Sequence, residues 1–277
     1  MDDISNVVLL IMVCTGLFSY VGLLDEKFFR KYAFEIDPIV VHRDYKRLFT
    51  SGLLHVGWMH LFLNMITLYF FGPMLEYGVG PWKFAVIYLA SLLGGSLLSL
   101  FIHRNDPDYS AVGASGAVCG LIFAVIALYP GAELGLILIP VYIPGCLFGL
   151  LFVLYSIYGM KSGRDNIGHD AHLGGGLIGM FVAILFYPHS LTENTVSILA
   201  IFIPAATFLY LLVTRPEMLY IDGFFRKKQG FTTVEDRYHE TKKTKEAELN
   251  ELLEKIQRSG MKSLTEKEKA RLRELSN

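Results

Sequence analysis

The stretch Gly113-Ala114-Ser115-Gly116-Ala117 decides the fold and the chemistry predicted for this chain, because it places a serine among small residues where a long apolar segment begins. A serine at a helix start has an accessible hydroxyl, and the unpaired backbone N–H groups of the first turn lie beside it. In a water-soluble enzyme this arrangement indicates a nucleophile for acyl transfer. Here the stretch opens a predicted membrane span, so we expect the chemistry to take place inside the bilayer.

The composition of the chain is that of a membrane protein. Of its 277 residues, 53% are hydrophobic and 18% are charged, whereas soluble domains carry about 25% charged residues. The net charge of −1 gives no indication of nucleic-acid binding. Cys14, Cys119 and Cys146 lie in apolar segments without the spacing of metal ligands, so we expect buried, inert thiols.

Apolar windows of the length that crosses a bilayer predict seven spans, of which the fourth and fifth are short. The windows run approximately over Ile4–Leu24, Trp58–Tyr77, Trp82–His103, Ser115–Tyr129, Pro144–Tyr158, Ala171–Pro188 and Thr195–Thr214. We therefore expect an all-α polytopic membrane protein with a six-helix transmembrane core, a seventh span and a small helical tail.

The predicted organisation has five parts. They are a first span at 1–24, an amphipathic interfacial loop at 25–57, the core spans at 58–188, an extra span at 189–214 and a charged helical tail at 215–277. Asp2 and Asp3 occupy the place where a cleavable signal has positive charges, so we expect the first span to be retained. The apolar segment 130–144, which prolines interrupt, is expected to dip into the membrane.

The tail has the composition of a helical appendage outside the membrane. Residues 235–258 predict a polar helix with four aliphatic side chains on one stripe, namely Leu249, Leu252, Leu253 and Ile256. Thr265 and Glu268 then predict a capping box for a last short helix. The interaction that we consider for this tail is binding to a protein partner.

Topology alone brings four polar groups to one membrane face. Spans two, four and six run in the same direction, because each pair is separated by one return crossing. Their N-terminal ends carry His60 with Asn64, Ser115, and His172, respectively. Ionisable groups inside a span are costly and by default indicate function, so this convergence predicts an active site.

Ser115 needs a base, because a free hydroxyl is a poor nucleophile at neutral pH, and His172 is the candidate. Taken alone, Ser115 could equally be a small packing residue, and His172 could be an interfacial or core histidine. Gly175 and Gly179 lie on the face of His172, and Gly116 offers a small residue beside Ser115. Stripes of small residues let two helices approach closely, as a Ser–His hydrogen bond requires.

His60 and Asn64 are four residues apart and therefore share one helical face. Both can donate hydrogen bonds to an oxyanion that develops at the nucleophile, together with the backbone N–H of Ser115. The alternative is a polar pair that lines a water pocket.

Three further polar residues are predicted to have structural roles or to lie outside the chemistry. Glu76 is near the end of span two, at the membrane face opposite the site, where a structural hydrogen bond is the expected role. His55 is five residues before His60 and off its face, so we expect it to anchor a loop. Asp170 is two residues before His172 and points away from it on a helix, which favours a Ser–His dyad over a triad.

Five motifs, in their order along the chain, resemble the rhomboid family of intramembrane serine proteases. The motifs are Arg47-Leu48-Phe49-Thr50, His55-x4-His60-x3-Asn64, Gly72-x3-Glu76-x3-Gly80, Gly113-Ala114-Ser115-Gly116 and Ala171-His172-Leu173-Gly174-Gly175-x3-Gly179. Each motif alone is weak. Their joint order on successive spans carries the resemblance, which covers about residues 47–188.

The resemblance implies a rhomboid-like six-helix core that encloses a water-filled cavity within the lipid bilayer. Ser115 would be the nucleophile and His172 the general base, while His60, Asn64 and the backbone N–H of Ser115 would hold the oxyanion. Substrates would be single-pass transmembrane proteins, cut near the top of their membrane segment, and the expected location is a bacterial inner membrane. The resemblance implies no metal, cofactor or nucleic acid.

Two positions and the charge distribution depart from the family pattern. Lys46 stands where the family often has tryptophan, and Cys119 stands where an aromatic residue often stacks on the histidine. Lys and Arg in the connection 25–56 and in the tail predict that both are cytoplasmic together with Ser115, whereas the family places that face outside. Long connections obey this rule poorly. If residues 195–214 do not cross, the tail returns to the cytoplasm.

Three other functions are compatible with parts of the pattern. A catalytically inactive relative that binds or escorts membrane proteins would usually lack the serine or the histidine, and both are present. A membrane acyltransferase or lipase with the same dyad would act on lipid esters, and a transporter would show internal repeats, which this sequence lacks. A protease is therefore the function that the sequence favours.

Overall fold

The computed structural model describes residues 6–136, 139–162 and 167–214, and toward the C-terminus residues 252–253, 255–256, 264–265, 268–269 and 271–272. The chain divides into two compact units, Met1–Lys227 and Lys228–Asn277. In its described part, the first unit is a helical bundle with two short antiparallel pairs of strands.

Eleven α-helices and four strands follow one another along the described part of the first unit. The helices are α1 (Asn6–Leu24), α2 (Glu26–Tyr32), α3 (Ile36–Val40), α4 (Arg47–Thr50), α5 (Trp58–Val79), α6 (Pro81–His103), α7 (Ser115–Leu128), α8 (Gly145–Ser162), α9 (His169–Phe186), α10 (Ser190–Glu193) and α11 (Thr195–Thr214). The strands are β1 (Phe34–Glu35), β2 (Ser110–Ala111), β3 (Glu133–Leu136) and β4 (Ile139–Pro144). β1 pairs with β2, and β3 pairs with β4.

Each of the seven predicted spans corresponds to a helix, and the protein is a polytopic helical membrane protein. Among the described residues, six helices are long and apolar enough to cross a membrane, namely α1, α5, α6, α8, α9 and α11. The seventh, α7, has 14 residues and extends about 21 Å, less than the roughly 30 Å of a hydrocarbon core. Every residue from Gly116 to Ala127 is buried, as expected of a helix that is apolar on all sides and lies inside a bundle.

The segment 25–57, predicted as an amphipathic loop, is folded into short elements with a small core. Its small core is a cluster of three buried apolar side chains, Phe34, Ile36 and Ile39. Arg47 donates from Nη1 to the carbonyl oxygens of Arg30 and Ala33, both at 2.7 Å. These two bonds tie α4 to the end of α2 and make the segment a folded lobe beside the spans.

Residues 130–144, predicted to dip into the membrane, contain the β3–β4 hairpin. Glu133 pairs with Pro144 where the two strands join the neighbouring helices. The local signal for a strand is the alternation of β-branched residues along β4, at Ile139, Val141 and Ile143. The depth of the hairpin in the membrane stays a prediction.

In the second unit, the predicted capping box is present. The backbone N–H of Thr265 donates to Oε2 of Glu268 at 2.7 Å, and the N–H of Glu268 donates to Oγ1 of Thr265 at 3.3 Å. Lys255 lies 2.6 Å from the same carboxylate and, with the bonds from Thr265, lowers the pKa of Glu268 to about 2. The first turn of the last short helix is thereby joined to residue 255.

The predicted apolar stripe of the tail is described only in part. Leu252 is buried, Leu253 is exposed, and Ile256 is intermediate in exposure. Leu249 and the break at 259–260 lie outside the described residues. Leu264, which was not assigned to the stripe, is also buried.

Candidate active site

Ser115 is the first residue of α7, and the loop before it has a backbone conformation that favours glycine. Gly113 has a φ of 136°, and a Cβ at this position would lie 2.8 Å from Cε1 of His60. The N–H of Gly113 donates to the carbonyl oxygen of Ser51 at 3.0 Å. Glycine at position 113 therefore lets the loop that carries Ser115 pass directly against His60.

His172 is the fourth residue of α9, and its Nε2 is 2.7 Å from Oγ of Ser115. When Nε2 is unprotonated, the serine hydroxyl donates to it, which is the geometry that a general base requires. The structure thus brings together the two side chains predicted to carry the chemistry, each within the first turn of its helix.

Glycines set the separation of α7 and α9. A Cβ at Gly175 would collide with the carbonyl oxygen of Gly116, and a Cβ at Gly179 would collide with that of Gly120. The two helices therefore pack backbone against backbone along this stripe. This close approach allows short side chains such as Ser115 to reach the facing helix.

His60 and Asn64 both lie on α5, and His60 borders the Ser115 loop. Asn64 is buried and donates from Nδ2 to the carbonyl oxygen of His60 at 3.0 Å, which leaves its second amide hydrogen for another acceptor. Nδ1 of His60 is buried and has no hydrogen-bond partner within the described part of the chain. Both side chains predicted to hold an oxyanion thus keep bonding capacity, and the His60 ring lies beside the nucleophile loop.

His55 anchors the same loop, and its contacts fit the role predicted for it. Its Nδ1 is 2.9 Å from the hydroxyl of Ser19, which donates to the carbonyl oxygen of Leu53 at 2.8 Å. Its Nε2 accepts from the N–H of Ala114 at 3.3 Å, so the ring proton is on Nδ1. Burial, and then the neighbouring His60, lower the pKa of His55 to about 3, so the ring is neutral.

Glu76 lies at the far end of α5 and binds the beginning of α1. Its carboxylate is buried and accepts from the backbone N–H groups of Val7 and Val8 at 3.3 and 3.0 Å. A carboxylate at a helix N-terminus satisfies backbone donors and interacts favourably with the helix dipole. The contacts fit the structural role predicted for Glu76, although the sequence did not indicate its partner helix.

Asp170 points away from Ser115 and binds groups that sequence reasoning missed. Nε2 of His103 is 3.3 Å from Oδ2 of Asp170, and the hydroxyl of Tyr109 donates to the same oxygen at 3.3 Å. By its place at a span end, His103 indicates only an interfacial histidine. No sequence pattern near His103 indicates that it contacts an acidic residue on another span.

An aromatic residue of α8 lies beside His172, where the sequence of α7 offers only Cys119. The ring centroids of Phe152 and His172 are 6.3 Å apart, with an interplanar angle of 37°. Phe152 also meets the edge of Phe123 at 5.5 Å. His172 therefore has an aromatic neighbour even though residue 119 is a cysteine, and this neighbour comes from a different helix.

The side chains assembled at this end of the bundle offer a nucleophile, a base and nearby hydrogen-bond donors, which are the requirements of acyl transfer. Within the ranges that the structure describes, no three His, Cys, Asp or Glu side chains are grouped so as to hold a metal ion.

Comparison with known proteins identifies a family and several relatives. A family model described as Rhomboid domain matches residues 42–189, more than half of the chain. A second model, of a family of unknown function (DUF6576), matches residues 232–277.

Three similar proteins illustrate the relatives. RHOMBOID-like protein 12, mitochondrial, of Arabidopsis thaliana is 36% identical over 147 residues, 47% of this chain and 43% of that protein. Rhomboid protein 1, mitochondrial, of Saccharomyces cerevisiae is 31% identical over 133 residues, 47% and 38% of the two chains. Inactive RHOMBOID-like protein 8 of Arabidopsis thaliana is 38% identical over 81 residues, which are 29% of this chain and 23% of that protein. The chain thus spans less than half the length of each.

Proposed function

This chain belongs to the rhomboid family, and from that premise we propose that it is an intramembrane serine endopeptidase. The observation that carries the proposal is the 2.7 Å contact between Oγ of Ser115 and Nε2 of His172, in a multi-pass integral membrane protein. A serine hydroxyl in contact with a base can attack the carbonyl carbon of a peptide bond.

In the proposed reaction, His172 accepts the hydroxyl proton as Oγ of Ser115 bonds to the scissile carbonyl carbon. The backbone N–H of Ser115 and the side chains of His60 and Asn64 donate to the oxyanion that forms, and each such donor contributes about 10²–10³ in kcat. His172 then gives its proton to the leaving amine. A water molecule, activated by the same imidazole, releases the acyl group from Ser115.

The proposed substrates are single-pass transmembrane proteins. Support comes from the short central helix: α7 is buried in the bundle from Gly116 to Ala127, whereas Ser115 at its start is partly exposed and can be reached by a peptide bond. The mitochondrial and plant relatives give no support to the expected bacterial inner membrane. A protein partner for residues 215–277 stays a prediction.

The second candidate is an inactive rhomboid-like protein that binds or escorts membrane proteins, because one relative is named inactive. Cleavage of a synthetic single-pass substrate by purified protein in liposomes separates the two. Wild type and Ser197→Ala, a matched serine change on α11, should cleave, whereas Ser115→Ala and His172→Ala should insert and fold but not cleave. Well-folded wild type that cleaves nothing would favour the inactive reading, and hydrolysis of lipid esters alone would indicate a lipase.

A further inference from the structure

The first turn of α9 carries a buried acid that the proposed reaction does not use. Asp170 is 3% exposed and stands two residues before His172, on the side away from Ser115. A buried carboxylate is costly unless it is paired and hydrogen-bonded, and removal of one partner is strongly destabilising. The partners of Asp170 therefore indicate its role.

Two aromatic rings that stack on each other bind this carboxylate. His103, the last residue of α6, and Tyr109, in the loop that follows, both contact Oδ2 of Asp170 at 3.3 Å. Their rings are parallel within 5°, with centroids 3.6 Å apart. Because the two rings stack, the positions of the His103 and Tyr109 groups that contact the Asp170 carboxylate depend on each other.

Tyr109 is in turn fixed by the folded lobe of residues 25–57. Its carbonyl oxygen accepts from the N–H of Ile36 at 3.4 Å, and its ring meets Phe34 edge-on at 6.0 Å. The β1–β2 pairing of Phe34 with Ala111 holds the same loop. The contact with Asp170 therefore links this lobe to the first turn of the helix that carries His172.

The first turn of α9 packs closely on α6 and α7, and the buried ring of His169 packs against Tyr155 of α8 with ring centroids 5.0 Å apart. The N-cap of α9, Gly168, has no side chain to cap the helix. A Cβ at Gly95 of α6 would lie 2.5 Å from the carbonyl oxygen of Ala171, and a Cβ at Gly116 of α7 would lie 3.1 Å from it. On these two sides the backbones come together with few side chains between them, so the contact of Asp170 with His103 supplies a side-chain link to α6.

A small rotation of α9 is enough to matter. A group about 6 Å from the helix axis moves by about 1 Å when the helix turns by about 10°. A misplacement of about 1 Å can reduce a reaction rate about 10²-fold. The contact between His172 and Ser115 is therefore sensitive to whatever fixes the rotation of this turn.

We propose that Asp170, His103 and Tyr109 are positioning residues that fix the rotation of the first turn of α9 and thereby keep Nε2 of His172 on Ser115. The proposal rests on the proposed function, since it assigns His172 the role of base. It also gives residues 25–57 a task in the site, which is to hold the ring of Tyr109.

The test compares Tyr109→Phe, Asp170→Asn and Asp170→Ala with wild type in liposomes, by kcat and KM on a synthetic single-pass substrate and by the rate at which a small fluorophosphonate labels the serine. Tyr109→Phe keeps the stacked ring and removes the hydroxyl, so kcat and labelling should each fall about 10-fold while KM stays within about twofold. Asp170→Asn keeps an acceptor for Tyr109 and should lose less than Asp170→Ala. Tyr158→Phe, the same change at an exposed position of α8, is the matched control.

The outcomes distinguish a positioning role from a purely structural role, and they test this proposal separately from the proposed function. The proposal is supported if kcat and the labelling rate fall together, and if both fall less in Asp170→Asn than in Asp170→Ala. Wild-type rates in Tyr109→Phe and Asp170→Ala, with wild type labelled at Ser115, overturn it and leave the proposed function standing. The proposal is also overturned if the variants lose activity in proportion to a lowered Tm, or if their KM rises while labelling stays normal. A folded wild type that neither labels nor cleaves ends both proposals.

Discussion

Replacement of Gly175 by alanine should separate the two helices that hold the Ser115–His172 contact. A Cβ at position 175 would collide with the carbonyl oxygen of Gly116 and lie 3.0 Å from its Cα, and neither backbone atom can rotate away. The carbonyl carbon of Gly116 would lie 2.6 Å from this Cβ. Carbon atoms pack at about 3.5–4.0 Å, so α7 and α9 must move apart locally by about 1 Å.

This displacement acts directly on the proposed site, because Gly116 follows Ser115 and Gly175 is one helical turn after His172. The Oγ–Nε2 distance of 2.7 Å would increase to about 3.7 Å, beyond the limit of a hydrogen bond. We expect kcat to fall about 10²-fold. Overpacking should also lower the free energy of unfolding by about 1–3 kcal/mol.

The assay is kcat on a synthetic single-pass substrate in liposomes, with Tm measured on the same preparations. Gly16→Ala on α1 is the matched control, since a Cβ there meets nothing within 4 Å, and it should retain wild-type kcat. Gly116→Ala, whose Cβ would lie 3.1 Å from the carbonyl oxygen of Ala171, should be intermediate. Wild-type kcat in folded Gly175→Ala would refute the reasoning.

Three further substitutions test single contacts. Asn64→Ala should lower kcat about 10²-fold with little change in KM, because it removes a donor to the oxyanion, and an unchanged kcat would remove Asn64 from that role. Glu76→Ala should lower the free energy of unfolding by about 1–2 kcal/mol, because it leaves the first N–H groups of α1 unsatisfied, and it should lower Tm while kcat stays unchanged. His55 has a folded-state pKa of about 3 against an ordinary 6.5, so the stability from its neutral ring is complete above pH 6.5. That contribution is lost by about 1.4 kcal/mol per pH unit as the pH falls toward 3. The slope of Tm against pH should be shallower in His55→Gln, and an equal slope would contradict the assignment.

The spans and the meeting of Ser115 with His172 were predictable because their signals are local or topological. Apolar windows identify the helices, and the parity of crossings puts alternate helix starts at one face. The close packing of Gly175 against Gly116 agrees with the stripes of small residues visible in the sequence. Each of these features needs only the chain itself and the rule that backbone in a membrane forms helices.

The long-range contacts of the fold and of the site could not be predicted, because they join residues distant in sequence. Glu76 binds the start of α1, and Asp170 binds His103 and Tyr109. Phe152 stands beside His172 from another helix. Any of several polar or aromatic groups at the same membrane depth would satisfy the same physical need, and only packing selects among them.

The β3–β4 hairpin was missed for a different reason. Its alternation of β-branched residues indicates a strand, but its apolar composition and prolines equally indicate a segment that dips into lipid. Both interpretations require that the backbone hydrogen bonds be satisfied, and the strand pairing does this within the segment.

The most direct test of the central claim is to map where a single-pass substrate is cut by the purified protein in liposomes. Mass spectrometry of both fragments should place the new termini within the apolar segment of the substrate, and neither fragment should form with Ser115→Ala. Identical fragments from wild type and Ser115→Ala, or a cut only in the water-exposed part of the substrate, would contradict intramembrane proteolysis by Ser115.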